Sequence, residues 1–305
     1  MMTNLPYRSF NSYLRETFGY RVQKISLDAG LSCPNRVHGN GCIYCNDKGS
    51  GTGAWGQGIG LKEQIESQIK AMTRRYKARA FIAYFQSFTN TYAPVERLKE
   101  IYDIILDYPE IEGLSIGTRP DCIDAEKLSL LESYSDKRSV WVEYGLQSAN
   151  DATLKRINRG HDTACFIDAV RLTSGYNIRT CAHVIIGLPG EGMKNYIHTA
   201  RLVASLGIDD IKIHLLYVTR STPMETMYLQ GNYTPMEMDA YIEAVGVFLS
   251  YLPKDMVIQR ITGDPHPQEL ITPTWALEKK KVMTAIVDRM NRNHIYQGKN
   301  FHEDL

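Results

Sequence analysis

The chain alternates short apolar runs with helix-patterned stretches, and this alternation restricts it to few folds. Residues 22–27, 80–85, 113–117, 140–144, 179–186 and 210–218 read as strands. Between them, 61–76, 95–106, 125–134, 163–173 and 195–206 show helical spacing. Six strands with five intervening helices predict an α/β fold whose parallel strands are joined by right-handed crossovers. Polar and glycine-rich residues follow the strands: Gln86-Ser87, Thr118 to Asp121, Gln147-Ser148, Gly187 to Glu191 and Tyr217. In a barrel such strand ends make one working face. The expected architecture is a partial (β/α)6 TIM-like barrel; an open doubly wound sheet is the alternative. Residues 1–20 read as an N-terminal segment and 21–220 as the barrel. Residues 221–305 read as a C-terminal α/β extension that packs on or closes it. Within the extension, 234–252 is expected as a helix capped by Thr234 and closed by Pro253. A strand at 256–261 and a helix at 276–291 follow.

Composition excludes several classes. The chain has 305 residues, 43% hydrophobic and 23% charged, as an ordinary globular protein does. No apolar run reaches the ~20 residues needed to span a bilayer, and residues 1–20 carry no signal-peptide core. A net charge of +1 argues against a generally basic nucleic-acid binder but leaves a local patch open. Of six cysteines, Cys122, Cys165 and Cys181 are far apart and read as small buried apolar residues. Dispersed cysteines fit a reducing cytoplasm better than a disulfide framework. The other three, Cys33, Cys42 and Cys45, form C-x8-C-x2-C just after the first strand. A structural zinc site wants four protein ligands, so a zinc knuckle needs a distant fourth residue such as His38. A cubane iron–sulfur cluster on three thiolates leaves one iron open to another ligand.

Taken in order, several segments resemble the radical S-adenosylmethionine (SAM) superfamily. They are Cys33-Pro-Asn-Arg, Gly41-Cys-Ile-Tyr-Cys45, Thr118-Arg-Pro-Asp121, Glu143-Tyr-Gly-Leu-Gln147, Arg156-Ile-Asn-Arg-Gly-His161 and Gly187-Leu-Pro-Gly190. The branches concerned are the elongator-type and coproporphyrinogen-oxidase-type ones. More narrowly, Leu27-Asp-Ala-Gly30, Tyr84 to Thr91, Arg119-Pro-Asp-Cys122, Ile211-Lys-Ile-His214 and Arg260-Ile-Thr-Gly-Asp264 are similar to a small bacterial group. One branch of that group converts carboxymethylaminomethyl to aminomethyl on the wobble uridine of tRNA; the other has no settled substrate. The resemblance implies a radical SAM barrel, a [4Fe-4S] cluster on Cys33, Cys42 and Cys45, SAM chelated to the open iron, and an electron donor such as flavodoxin or ferredoxin. In that family one electron splits SAM, and the resulting 5′-deoxyadenosyl radical takes hydrogen from substrate.

The resemblance also implies site roles. Tyr44 would touch adenine, Gln147 and His183 the ribose, and Arg159 the SAM carboxylate by a bidentate grip, with Arg156 its runner-up. Gln86 opens a segment that departs from the family's usual Gly-Gly pair at the amino-group site. Glu143 is a costly charge to bury alone and is either a ligand contact or half of an ion pair. Lys212 and His214 share a strand face, inward as substrate-site candidates or outward and solvated. For RNA there are two basic stretches: Lys70, Arg74, Arg75, Lys77 and Arg79, then Lys279 to Lys281 with Arg289 and Arg292. Solvated helix faces are the competing reading of both. Three functions follow: a radical SAM enzyme on tRNA, a radical SAM enzyme on a small metabolite, or a zinc-stabilised binding module.

Overall fold

The computed structural model describes residues 5–49 and 51–302; the ends of the N- and C-terminal segments fall outside these. After α1 (Phe10–Phe18) come β1 (Val22–Leu27), the short α2 (Pro34–Val37) and α3 (Leu61–Tyr76). β2 (Ala80–Phe85), α4 (Val95–Tyr102), β3 (Ile111–Thr118), α5 (Ala125–Glu132) and β4 (Ser139–Gln147) follow. Next are α6 (Asp151–Arg156), α7 (Thr163–Thr173), β5 (Arg179–Ile186), α8 (Met193–Ser205) and β6 (Asp210–Leu215). The chain ends with β7 (Val218–Thr219), α9 (Pro223–Leu229), α10 (Met238–Ser250), β8 (Val257–Arg260), β9 (Leu270–Thr272) and α11 (Lys279–Arg292).

Strands β1 to β6 and β8 form one seven-stranded sheet in that order, and every pairing in it is parallel. This is a partial TIM-like barrel with helices outside. The extension supplies β8 to the same sheet, and β7 and β9 make a small antiparallel pair. Alternate residues of each strand divide the labour. Ile25, Leu27, Ala83, Phe85, Leu114, Ile116, Val142, Tyr144, Val184, Ile211 and Ile213 belong to the main core packed by the helices. The opposite positions, Lys24, Tyr84, Ser115, Glu143, His183 and Lys212, meet one another instead. A chain of outward apolar and inward polar residues thus builds a barrel that is greasy outside its sheet and wet within.

The base is plugged by the N-terminal segment. Ser9 caps α1 by accepting from the Ser12 N–H at 3.2 Å, and Gly19 ends it with φ 75°. Leu14 packs with Val22, Ala80, Ile82 and Trp141. The preceding Arg8 carbonyl accepts from Ile258 N–H at 2.8 Å, so this segment reaches β8. The predicted 234–252 helix starts later than expected: Glu237, not Thr234, is its N-cap. The Met236 carbonyl there accepts from the Trp275 indole at 3.2 Å, leaving 234–237 outside the helix. The 276–291 helix is split by Glu278 into a 3-10 turn and α11.

Inside, Glu143 of β4 joins the strands. Its side chain is fully buried. One oxygen accepts from Lys24 of β1 at 2.6 Å and Ser115 of β3 at 2.5 Å. The other accepts from His183 of β5 at 2.6 Å and from Lys212 of β6. Lys24 also donates to Gln259 of β8 at 2.8 Å, across the gap between the sheet's two edges. Removing one partner of such a buried set leaves charges uncompensated. Glu143→Gln is expected to lower unfolding free energy by about 3–5 kcal/mol, measured by urea denaturation of the apoprotein. A loss below about 1 kcal/mol, the range of exposed pairs, would contradict this placement.

Candidate active site

A cavity of about 220 Å³ opens at the carboxyl ends of the strands. It is lined by Cys33, Cys42, Tyr44 and Cys45 from the loop after β1, and by Gln86 and Thr118 after β2 and within β3. Glu143, Gly145 and Gln147 of β4, His183 of β5, His214 of β6, Tyr217 and Arg260 complete it, with Arg159 from the loop after α6. Of the site residues expected from the sequence, all but Lys212 and the runner-up Arg156 line one cavity.

The cysteine loop is held by backbone-directed bonds. Arg36 donates to the carbonyls of Cys45 at 2.7 Å and Asn46 at 2.5 Å. The Asn158 amide donates to the Gly41 carbonyl at 2.6 Å, and Asn35 returns a bond to the Asn158 carbonyl, also at 2.6 Å. Ile43 N–H donates to the Ile157 carbonyl at 3.1 Å, while Met224 N–H donates to the Ile43 carbonyl at 3.0 Å. The loop is thus clamped between α6 and α9. Burial and the neighbouring Cys42 raise the Cys45 thiol above its usual pKa, so ionising it there needs a compensating cation.

The sulfur spacing bears on which cation. Among the described residues, one group of three His, Cys, Asp or Glu ligand atoms lies mutually within 4.8 Å: Glu143, Cys181 and His183. The three cysteines are not such a group. Thiolates on a single tetrahedral zinc sit about 3.8 Å apart, so this wider set suits a larger inorganic core with a different iron for each sulfur. The Glu143 group is no metal site, because Lys24 and Lys212 already occupy its carboxylate.

Arg159 is buried with its Nε and Nη2 on the Gly145 carbonyl, at 3.2 and 2.8 Å. Its Nη1 lies 3.6 Å from Cys42 Sγ. A Cβ on Gly145 would sit 2.5 Å from both Arg159 Nη2 and Gln147 Nε2, so only glycine lets the guanidinium lie there. A register shift between Gly145 and Gln147, with Gln147 at φ 74°, turns the strand end. Arg156, the runner-up, is drawn away to the Pro189 carbonyl at 2.9 Å and a separate cleft. The Gly187-Leu-Pro-Gly190 turn lies there too, outside the main cavity.

Two expectations change. Glu143 reaches the cavity, but its oxygens are taken by four side chains of this chain, which makes it the ion-pair hub. Lys212 faces inward as one alternative had it, yet it is locked to Glu143 and stacked over Tyr84, with Nζ 3.9 Å from the ring centroid. It is no open substrate ligand. His214 does line the cavity, its ring 5.3 Å from that of His183. Cys122 and Cys181 are buried as expected, but Cys165 is half-buried near the start of α7. Two residues were missed. Thr89 lines the cavity with a buried hydroxyl that has no partner among the described residues. Arg260 lines it with no hydrogen bond or ion pair among the described residues. The Thr89 signal lay inside the 86–91 segment, where the glycine pair was absent.

The basic stretches separate. Lys70, Arg74, Arg75, Lys77 and Arg79 are exposed at the end of α3, just before β2 begins. That is the end of the sheet remote from the cavity. Lys279 instead pairs with Asp264 at 2.7 Å, beyond the carboxyl end of β8.

Comparison with known proteins decides the family. Residues 32–203 match the Radical SAM superfamily and 208–292 the Radical_SAM C-terminal domain. This chain belongs to the radical SAM superfamily. It is 39% identical to YtqA of Bacillus subtilis over 98% of this chain and 94% of that one. It is 26% identical to a tRNA uridine(34) acetyltransferase of Dehalococcoides mccartyi over 50% of this chain and 33% of that protein. The Elp3 structure of Methanocaldococcus infernus superposes with a TM-score of 0.68 at 16% identity, covering 90% of this chain and 64% of that one. Radical SAM proteins use a [4Fe-4S] cluster and SAM, and the three cysteines with the open cavity beside them fit both. Among the described residues no helix is long and apolar enough to cross a membrane.

Burial lowers three histidines of the site. His161 and His183 fall to about 4, helped by Arg159 and Lys212 respectively, and His214 falls well below its usual value, helped by Arg260. Between about pH 6.5 and 4 the unfolded chain therefore binds more protons than the folded one. Asp210, raised to about 6 chiefly by burial, opposes this over the lower part of the window. Glu191, also raised by burial, opposes it too; three groups still outweigh two, so apoprotein stability is expected to fall as pH drops through this range. Urea titrations at several pH values check it, and His183→Gln should flatten the slope; a rise in stability on acidification would contradict it.

Proposed function

We propose that this radical SAM enzyme acts on tRNA, converting 5-carboxymethylaminomethyluridine at the wobble position to 5-aminomethyluridine. What carries the radical SAM part of this reading is the cysteine-and-arginine cavity together with the family match over residues 32–203. Similarity to a protein named as a tRNA uridine(34) acetyltransferase supports the nucleic-acid substrate. Lys279 to Lys281, near the cavity end, support phosphate contact better than the remote Lys70–Arg79 run. A flavodoxin or ferredoxin would deliver the electron, in a reducing cytoplasm.

In this reading Cys33, Cys42 and Cys45 would hold three irons of the cluster. Arg159 would meet the SAM carboxylate from beside Cys42, and the Thr89 hydroxyl, unpartnered among the described residues, would accept from the SAM ammonium where the glycine pair is missing. Tyr44 would lie along the adenine, while Gln86, Gln147 and His183 would offer polar groups to the amino acid and ribose. His183 is neutral, so its Nε2–H donates to Glu143 and leaves Nδ1 as an acceptor. Together the bound cluster and SAM supply a one-electron route to removing a hydrogen atom from carbon. The protein's part is to hold the carbon between the substrate's amine and carboxylate against that site and to exclude water. Loss of the hydrogen atom, then of an electron to the carrier and a proton to solvent, makes an imine. Water adds to it, releasing glyoxylate and the aminomethyl group.

Anaerobically loaded protein is expected to hold about four irons, and Cys42→Ala to lose the brown chromophore and SAM cleavage together; full zinc occupancy without iron would favour the binding-module reading. Arg159→Ala should weaken SAM binding by about tenfold or more with the cluster retained, measured by equilibrium binding, and unchanged affinity would remove Arg159 from the site. Reduced enzyme with SAM and tRNA from cells lacking this protein should yield aminomethyluridine and 5′-deoxyadenosine together, read by nucleoside mass spectrometry. Deoxyadenosine formed only with a small metabolite would favour the alternative substrate class.

A further inference from the structure

We propose that Arg260, with His214 beside it, forms the subsite that grips the carboxylate of the substrate. This assignment rests on the functional reading above and names the group that reading leaves without a partner. The reasoning is one of elimination among the cavity's cations. Arg36 is spent on the carbonyls of Cys45 and Asn46, and Arg119 on Asp121 at 2.8 and 2.6 Å. Arg159 stands at the cysteine end, oriented by the Gly145 carbonyl beside Cys42, where the reading above assigns it to the SAM carboxylate. Lys24 and Lys212 share Glu143. Among the described residues Arg260 alone of the cavity-lining arginines has no hydrogen-bonded or ionic partner. An arginine kept unpaired in a partly enclosed cavity is set up for an incoming planar anion.

The backbone explains how it gets there. Ile211 pairs with Ile258 and Lys212 with Arg260, so Gln259 is one extra residue on β8. Such a bulge re-aims side chains at a strand end. Gln259 and Arg260 consequently both serve the interior: Gln259 meets Lys24 and Asp210, at 2.8 and 3.1 Å, and Arg260 lines the cavity. An independent observation marks the same spot. His214 Nε2 is buried with no partner among the described residues, and a buried polar atom left so calls for a ligand or water. Burial and Arg260 keep that imidazole neutral near pH 7, so it can donate one hydrogen bond to an anion.

Position separates this subsite from the SAM end. Gly145, which anchors Arg159, is on β4, and Arg260 is on β8, three strands along the sheet. At strand spacing this is roughly 14 Å around the curve, enough for two anionic groups to bind apart. Tyr217 also lines the cavity, packed so closely on Gly263 that a Cβ there would come within 2.7 Å of its ring. It offers an aromatic face to a heterocycle.

The test uses cluster-loaded full chain with SAM and no reductant, so that nothing turns over. Titration calorimetry compares the nucleosides 5-carboxymethylaminomethyluridine and 5-aminomethyluridine. Wild type should bind the carboxylate form about tenfold or more tightly than the amine, the scale of one charged bidentate contact. Arg260→Gln should erase that preference, Arg260→Lys should restore part of it, and His214→Phe should reduce it. SAM affinity should be unchanged in all three, which also reports that each is folded. A preference that survives Arg260→Gln, or no preference in wild type, overturns the subsite. So does a loss of SAM affinity in Arg260→Gln with nucleoside discrimination intact. If Arg260 governs discrimination but wobble-modified tRNA is not converted, the functional reading fails while the carboxylate subsite stands. If tRNA is converted and Arg260→Gln still discriminates, the reverse holds.

Discussion

One buried carboxylate organises the interior of this barrel. Glu143 bonds β1, β3, β5 and β6 from its own place on β4, and Lys24 extends the set to β8. A seven-stranded sheet that does not close has two edges free to drift apart, and hydrophobic packing on its outer face is non-directional. The ionic hub supplies direction. It also sets the charge of the cavity floor: two lysines against one carboxylate, with Tyr84 lying under both ammonium groups. Burial lowers the Lys212 pKa to about 7 against the pull of Glu143, so the floor carries little excess charge.

That balance shapes what the cavity can bind. Cationic groups that could have gripped a ligand indiscriminately are tied to the protein's own acceptors. Arg159 is left at the cysteine end, oriented by one backbone carbonyl, and Arg260, among the described residues, is left unpaired at the other. In the proposed reading, a cofactor that is itself an amino acid and a substrate that carries a second carboxylate would each meet one arginine. Electrostatic pre-assignment of this kind avoids competition between two chemically similar anions in one small space.

Much of this was legible in the sequence, for identifiable reasons. Strands such as 80–85 and 179–186 are parallel and internal, so their apolar runs end sharply, and the helices 61–76 and 163–173 carry clean amphipathic patterns. The cysteine spacing and the strand-end polar residues led to the cavity. Helices α6 and α9 went unread because they are only two turns or less, too short for periodicity to show. The fate of the charged residues was harder still. Lys212 and Arg260 are both basic residues at adjacent register positions, and only the bulge at Gln259 and the reach of Glu143 decide which is neutralised. Alternation predicted that Lys212 and His214 share a face, but not that one would be occupied and the other left open. The Gly145 contact with Arg159 is likewise a three-dimensional approach that no local pattern encodes.

The central claim is that three cysteines hold a cluster with one iron open to SAM in the cavity above this hub. Electron paramagnetic resonance of the anaerobically loaded, chemically reduced protein tests it directly. The account predicts the signal of a reduced [4Fe-4S] cluster whose shape and g values shift when SAM is added, with the shift lost in Arg159→Ala at SAM concentrations that saturate wild type. A cluster signal indifferent to SAM at any concentration, or no paramagnetic iron–sulfur signal at all, would contradict it.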